Sequence, residues 1–110
     1  MRNKSLCNVS DIENDGSAAF TIEMNGKAKM VLVVRKENKI FVYLNSCPHT
    51  GGPLDIRPGN FLSKDKKHLL CSTHGALFNI EDGYCVFGPC QSSSLESIPV
   101  QIKDGQIIIL

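Results

Sequence analysis

The sequence predicts an all-β domain, and two observations carry that prediction. No stretch of about twelve residues shows a helical period of apolar positions. Short runs rich in β-branched and aromatic residues instead alternate with turn-forming dipeptides. This punctuation is typical of an antiparallel β sandwich or small barrel. At 110 residues, the chain has the length of one domain, residues 1–110.

The first three predicted strands are separated by two short turns. Asn25-Gly26 is a strong signal for a two-residue hairpin, because both residues tolerate positive φ. Glu37-Asn38 turns the chain again, after a β-branched, apolar run. The predicted strands in this half cover residues 19–24, 29–35 and 40–44.

The second half of the chain contains shorter apolar runs. The turn at Asp104-Gly105 separates the last two of them, which close the domain. The others lie in a segment interrupted by cysteine, histidine and glycine. The predicted strands here cover residues 69–71, 77–80, 84–87, 98–102 and 106–110.

Composition excludes several classes of partner. A net charge of +1 gives no basic field for nucleic acid, and tryptophan is absent. No run approaches about eighteen apolar residues, so we expect no membrane span. The N-terminus starts basic, but Asp11, Glu13 and Asp15 stand where a secretory signal would be apolar. The five cysteines are an odd number, which favours a reducing compartment, and we expect a cytoplasmic protein.

Two cysteine–histidine pairs carry most of the functional information. Cys47 and His49 form a C-x-H pair, and Cys71 and His74 form a C-x-x-H pair. Each pair offers one thiolate and one imidazole, and four such ligands can hold tetrahedral iron or zinc. An all-cysteine set would indicate an ordinary iron–sulfur cluster. The mixed set favours a [2Fe–2S] cluster with two cysteines on one iron and two histidines on the other.

Two other interpretations of these ligands remain open. A structural zinc site is one, because two cysteines and two histidines also suit zinc. Zinc fingers, however, usually pair like ligands, whereas each pair here mixes the two types. A Cys–His catalytic dyad is the other, but a nucleophilic cysteine needs one base and an oxyanion site rather than a duplicated pair.

The ligand spacing resembles that of the Rieske family, whose signature is C-x-H followed by C-x-x-H. Glycines follow both histidines, and the segment after His74 resembles the HGxxF strand entry of Rieske ferredoxins. Asp82-Gly83 resembles the hairpin turn that follows, and Gly88-Pro89 resembles the family's third loop over the cluster. The likeness covers residues 45–110 and implies an inserted cluster-binding subdomain at about residues 45–90. The matching residues are Cys47, His49, Gly51, Gly52, Cys71, His74 and Gly75.

One departure from the family pattern lies between the two ligand pairs. The interval from His49 to Cys71 is somewhat longer than is usual in the ferredoxins, and we expect an enlarged loop around residues 60–67.

Three positions indicate the low-potential, ferredoxin-type branch of the family. The high-potential branch has a disulfide between cysteines where this chain has Gly52 and Thr73, and a hydroxyl donor where this chain has Ala76. Each replacement removes stabilisation of the reduced cluster. We therefore expect a midpoint potential toward the negative end of the Rieske range, roughly −150 mV.

The resemblance implies an electron carrier that performs no substrate chemistry. Cys47 and Cys71 would hold the buried iron, whereas His49 and His74 would hold the outer iron, where the electron leaves. The expected partners are a flavin-dependent reductase as donor and a terminal oxygenase as acceptor. Two alternatives are a small Rieske subunit of an assimilatory nitrite reductase and a redox-sensing Rieske module.

The remaining cysteines are expected to be ordinary thiols. Cys7 lies in a polar N-terminal stretch, and Cys85 lies in an apolar run that predicts a strand. Cys90 follows the Gly88-Pro89 turn, close to the third loop. A Cys85–Cys90 disulfide is conceivable but disfavoured in a reducing compartment.

His68 falls outside the ligand spacing, and we expect a solvated loop histidine. Three lysines precede it within four residues: Lys64, Lys66 and Lys67. They form either a solvated surface or a basic rim near the cluster that steers an acidic redox partner.

Overall fold

The computed structural model describes residues 4–46, 48, 54, 59, 61–71, 75–88 and 93–110, and the structural statements below concern those residues. They form nine strands and a single 3-10 turn at Val9–Asp11. The strands are β1 (Lys4–Asn8), β2 (Gly16–Met24), β3 (Lys27–Lys36), β4 (Lys39–Leu44), β5 (His68–Cys71), β6 (Ala76–Asn79), β7 (Cys85–Phe87), β8 (Val100–Lys103) and β9 (Gln106–Ile109).

Three antiparallel sheets of three strands make up the fold. Their strand orders are β1-β9-β8, β2-β3-β4 and β5-β6-β7. Every strand pair is antiparallel. The all-β class predicted from the sequence is confirmed.

Two-residue turns set the register of three hairpins. Asn25-Gly26, Glu37-Asn38 and Asp104-Gly105 each place two successive residues at positive φ. This is the type I′ geometry, whose twist matches the right-handed twist of the flanking strands. The strand ends on either side of each turn pair with one another, so all three turn predictions are confirmed.

Strand β3 is buried on both faces and separates two hydrophobic cores. Leu32 and Val34 face the β5–β7 core, whereas Val31 and Val33 face the β1–β9 core. The middle sheet therefore packs on the other two sheets through alternate side chains of one strand. The β5–β7 core also contains Tyr43, Leu54, Phe61, Leu69, Cys71, Ala76, Phe78, Ile80, Cys85 and Leu95. The β1–β9 core also contains Ile12, Val42, Ile98 and Ile107.

The N-terminal segment differs from the sequence-based expectation. Cys7 was expected to be an ordinary thiol in a polar stretch with no predicted strand, but it lies half-buried in β1, opposite Ile107 of β9. The pKa of its thiol is raised by burial and, to a smaller extent, by the Asp11 carboxylate. This strand forms through pairing with the far end of the chain, which local sequence patterns do not reveal.

Strand β8 begins at Val100 rather than at Ile98. Pro99 lacks a backbone N–H group and so cannot donate to a strand ladder. Ile98 is nevertheless buried, and its N–H donates to the Val42 carbonyl oxygen at 2.9 Å.

Candidate metal centre

Cys71 is the one predicted ligand that lies within the described residues. It ends β5, is fully buried and belongs to the β5–β7 core. Cys47, His49 and His74 lie outside the described part of the chain. Within that part, no three potential metal-ligating side chains converge. The site is therefore described from the segments that flank the ligands.

A fixed glycine turn follows the first residue of the C-x-x-H pair. Cys71 and Ala76 form the last pair of the β5–β6 ladder, and the Gly75 N–H donates to the Cys71 carbonyl oxygen at 2.9 Å. Gly75 has a φ of 70°, which other residues adopt at a cost. In the sequence, residues 72–74 separate Cys71 from this glycine, and His74 directly precedes it.

The segment that carries the first ligand pair is tied at both ends. Asn45 follows β4, and its N–H donates to the Met30 carbonyl oxygen at 2.8 Å. Its side-chain Oδ1 accepts a hydrogen bond from the Leu54 N–H, also at 2.8 Å. Asn45 and Leu54 are both buried, and Leu54 shares the β5–β7 core with Cys71. Asn45 was not among the site residues predicted from the sequence, although a polar residue directly after an apolar strand and just before a ligand pair is a usable signal.

Gly88 brings the end of β7 against the second ligand turn. A side chain at this position would place its Cβ 2.8 Å from Cα and 3.1 Å from Cβ of Ala76. Only glycine permits this approach, and Gly88 has a φ of 103°. The predicted third loop starts here, beside the Cys71–Ala76 pair, although Pro89 and Cys90 lie outside the described residues.

Cys71 and its surroundings fit a thiolate ligand of a [2Fe–2S] cluster. Cys71 is enclosed by apolar side chains, and such surroundings disfavour a bare thiolate. Coordination by iron would compensate that charge, so a buried cysteine where a tight glycine turn begins is suited to be a thiolate ligand. Ala76, which pairs with Cys71, carries no hydroxyl that could donate to a cluster sulfur.

The expected enlarged loop is a compact hairpin where it is described. The Ser63 N–H donates to the His68 carbonyl oxygen, and Leu62 bridges to Leu69. Asp65 closes the turn, because its carboxylate accepts hydrogen bonds from the Ser63 hydroxyl at 2.7 Å and from the Lys67 N–H at 3.0 Å. Both bonds lower the pKa of Asp65.

Two predictions for this region need correction. His68 is not a solvated loop residue: it begins β5, pairs with Asn79 and is half-buried. The three lysines are exposed, as expected, but their turn precedes β5, whereas Cys71 ends it. Three strand steps, about 10 Å, separate His68 from Cys71. The lysines therefore do not border the ligand turn.

Cys85 lies in a strand, as predicted. It is buried in β7, and its thiol donates to the Phe87 carbonyl oxygen at 3.4 Å. The proposed pairing with Cys90 stays a prediction, because Cys90 is not among the described residues.

No helix in the described ranges is both long enough and apolar enough to cross a membrane.

Comparison with solved structures shows the fold at full length. The chain is similar to the ferredoxin of carbazole 1,9a-dioxygenase from Nocardioides aromaticivorans IC177, with a TM-score of 0.75 and 16% identity over 99% of this chain and 97% of that one. It is similar to the Sphingomonas yanoikuyae B1 ferredoxin, with a TM-score of 0.75 and 25% identity over 98% and 97%. A third match, with a TM-score of 0.74 and 20% identity over 97% and 100%, is a chain in a complex of reduced oxygenase and oxidized ferredoxin in carbazole 1,9a-dioxygenase.

A search of curated proteins by sequence gave no match. A family model described as the Rieske [2Fe-2S] domain, by contrast, matches residues 3–102. This match confirms the predicted family and the predicted cofactor, one [2Fe–2S] cluster. With the full-length likeness to ferredoxins, it also confirms the predicted role of an electron carrier. The chain belongs to the Rieske [2Fe–2S] family.

Proposed function

We propose that this protein carries single electrons from a flavin-dependent reductase to a terminal oxygenase in the cytoplasm. The main support for this proposal is that the fold matches that of ferredoxins of dioxygenase systems over nearly the whole length of both compared chains. One of these matches comes from a complex of an oxygenase with its ferredoxin. A chain of 110 residues with the same architecture suits the same intermediary task.

Within this function, Cys47 and Cys71 hold the inner iron, and His49 and His74 hold the outer iron. The complete burial of Cys71 supports the inner position of the cysteines. When bound, the cluster accepts and releases one electron. Neutral imidazole ligands leave it less negative than four thiolates would, which raises its potential above that of plant-type ferredoxins.

This chain's own residues keep water from the inner side of the cluster and fix the ligand turns. Leu54, Phe61 and Phe78 are fully buried in the core that contains Cys71. Ala76 offers no hydroxyl, and Gly52 and Thr73 provide no disulfide. These residues support the proposal of a low-potential branch.

The test is electron transfer by two matched cysteine variants. Purified without oxygen, the wild type and Cys85→Ala should be red-brown, with about two irons and two labile sulfides per chain. Both should take one electron from a flavin-dependent reductase and pass it to a terminal oxygenase in stopped-flow mixing. Cys71→Ala should be colourless and inactive, because it removes an iron ligand. Cys85→Ala is the control, because Cys85 is an equally buried cysteine that is not a proposed iron ligand. One zinc per chain without labile sulfide would contradict the proposal.

A further inference from the structure

The outward face of the β5–β7 sheet carries several apolar side chains beside His68 and Asn79. Strands β5 and β6 alternate between buried and half-buried side chains, and Leu69, Phe78 and Cys85 point into the core. The opposite face carries a second row, because Leu70 pairs with Leu77 and Leu77 pairs with Phe87. Antiparallel sheets normally place polar side chains on the face away from the core. Here an apolar row, which we call the Leu70–Leu77–Phe87 row, crosses all three strands.

Phe87 is the most exposed member of this row. Its side chain is 60% exposed, although a phenylalanine gains more from burial than almost any other residue. Val86 on the same strand is 39% exposed, and Tyr84, which directly precedes the strand, is 45% exposed. The register of β6 and β7 shifts between Leu77 and Phe78, so that Val86 stands between the two paired residues of β7 without a partner in the ladder, as in a β-bulge. A group of large exposed apolar side chains in one short segment, residues 84–87, is typical of a protein contact surface.

The row lies beside the ligand turn. Leu70 and Leu77 directly neighbour Cys71 and Ala76, the pair that closes the ladder before the C-x-x-H connection. Strands lie about 4.8 Å apart, so the row extends about 10 Å away from β5 along the sheet. A partner that covers the row would therefore come close to the cluster.

Positive charge lies at the other end of the same sheet. The turn that precedes β5, which we call the lysine turn, exposes Lys64, Lys66 and Lys67 together with Asp65. The Asp65 carboxylate already accepts hydrogen bonds from the Ser63 hydroxyl and the Lys67 N–H. A depression of about 390 Å³ lies at this end and reaches one member of the row, since it is lined by Ser63, Lys64, Asp65, His68 and Leu77. The surface thus offers apolar contact near the cluster and net positive charge farther away.

We propose that the Leu70–Leu77–Phe87 row is the contact through which the electron acceptor binds, with Phe87 as its anchor. The inference rests on the proposed function. It assigns the acceptor a matching surface, an apolar site flanked by acidic groups on the side that faces the lysine turn. Lys64, Lys66 and Lys67 then act through long-range attraction rather than by contact at the cluster.

The test compares Phe87→Ser with Ile102→Ser. Ile102 lies on β8 in another sheet and is 51% exposed, so its replacement removes similar apolar surface elsewhere. The terminal oxygenase of a carbazole 1,9a-dioxygenase serves as the acceptor. We expect Phe87→Ser to weaken binding about tenfold or more, as anchor residues do, with an unchanged visible spectrum and midpoint potential. Ile102→Ser should bind as the wild type does.

The lysines give a second measurement on the same complex. Replacing all three by alanine should slow association at low salt and flatten its salt dependence, with little effect on dissociation. Equal binding by Phe87→Ser and the wild type would overturn the contact assignment alone. Failure of the wild type itself to reduce the oxygenase would overturn the proposed function, and the contact assignment with it.

A second inference comes from the hydrogen bonds of Asn45. Its side chain is 4% exposed, and it is the single polar residue among the buried residues of the described chain. Its Oδ1 accepts the Leu54 N–H, and its own N–H is bound to Met30 of β3. Both ends of the segment that contains Cys47 and His49 are therefore held at one point of the middle sheet.

This arrangement joins the first ligand segment to the second ligand. Leu54 is fully buried in the same core as Cys71. The hydrogen bond from the Leu54 N–H to Asn45 thus fixes the ends of the first ligand segment against the β5–β7 core, which contains Cys71 of the second ligand pair. Replacing Asn45 by a residue without an acceptor would leave the Leu54 N–H buried without this partner, which is costly.

The geometry points to Asn45 as a positioning residue for the first ligand pair. This inference rests on the cluster assignment, not on the identity of the redox partners. It predicts that Asn45→Ala releases iron to a chelator about tenfold faster, the range seen when groups that orient metal ligands are removed. The electron paramagnetic resonance g-values of the reduced cluster should shift as well, because the ligand angles change.

Ser17→Ala is the matched control. The Ser17 hydroxyl also ties a distant backbone, since it donates to the Gly59 carbonyl oxygen and accepts from the Phe61 N–H. The Ser17 hydroxyl makes no hydrogen bond between the two ends of the first ligand segment, Asn45 and Leu54. Its removal should therefore leave iron release and the g-values unchanged. Asn45→Asp keeps an acceptor oxygen of the same reach and should release iron more slowly than Asn45→Ala. Equal release by the two Asn45 variants, or equal acceleration in Ser17→Ala, would overturn the assignment.

Discussion

At the scale of single residues, Tyr43 of β4 connects the middle sheet to the β5–β7 core by a hydrogen bond. It is buried at 2% exposure, and its hydroxyl donates to the Ile80 carbonyl oxygen at 2.6 Å. Its ring lies against Gly83, where an added Cβ would approach the ring to 2.8 Å. Burial, and then the carboxylates of Asp82 and Glu81, raises the pKa of Tyr43 to about 12.

That pKa predicts how stability changes at high pH. Above pH 10 the unfolded chain loses the tyrosine proton, whereas the folded chain keeps it until about pH 12. Stability should therefore fall as the pH rises from 10 to 12, by about 2 kcal/mol from this residue. Urea unfolding should show a smaller fall for Tyr43→Phe than for the wild type, together with a loss of about 1 kcal/mol at neutral pH from the missing hydrogen bond.

Tyr84→Phe serves as the control for this measurement. Tyr84 is 45% exposed, so its replacement removes a tyrosine hydroxyl from the surface and keeps the Tyr43 hydroxyl and its hydrogen bond in place. If Tyr43→Phe lost stability between pH 10 and 12 as steeply as the wild type, the ionisation of Tyr43 would not be the cause.

At the scale of elements, the sequence was most informative where structure depends on neighbouring residues. The Asn25-Gly26 and Asp104-Gly105 turns follow from the backbone preferences of two adjacent residues. Strand β1 was missed because it depends on β9, which lies at the other end of the chain. The same limit explains Asn45, whose importance comes from a bond to Leu54 rather than from any local pattern.

The lysine turn shows a related limit for the site. Lys64, Lys66 and Lys67 lie between the two ligand pairs in the sequence, and proximity to the cluster was inferred from that position. Strand β5 intervenes, and its direction carries the chain away from the lysines before Cys71 is reached. The ligand spacing predicted the kind of site, whereas the surface around it depends on strand direction and on the pairing of β7 with β6, which sets Phe87 opposite Leu77.

At the scale of the whole molecule, the two cores differ in their relation to the cluster. The β5–β7 core contains Cys71, and its outer sheet has strands of only four, four and three residues. The β1–β9 core contains none of the four ligands among its described members, and it packs on the long hairpin of β2 and β3. Metal coordination should therefore stabilise one side of the protein more than the other.

Removal of the cluster should accordingly loosen one sheet selectively. We expect amide hydrogen exchange in β5, β6 and β7 to rise at least about tenfold when a chelator strips the iron, because short strands without their metal-bound turn open locally. Exchange in β2, β3 and β9 should rise much less, since Val31, Val33 and Ile107 stay buried in the other core. Mass spectrometry of peptides from the holo and stripped proteins measures both regions in one experiment. A uniform rise across all three sheets would show instead that the cluster holds the whole domain together as one cooperative unit.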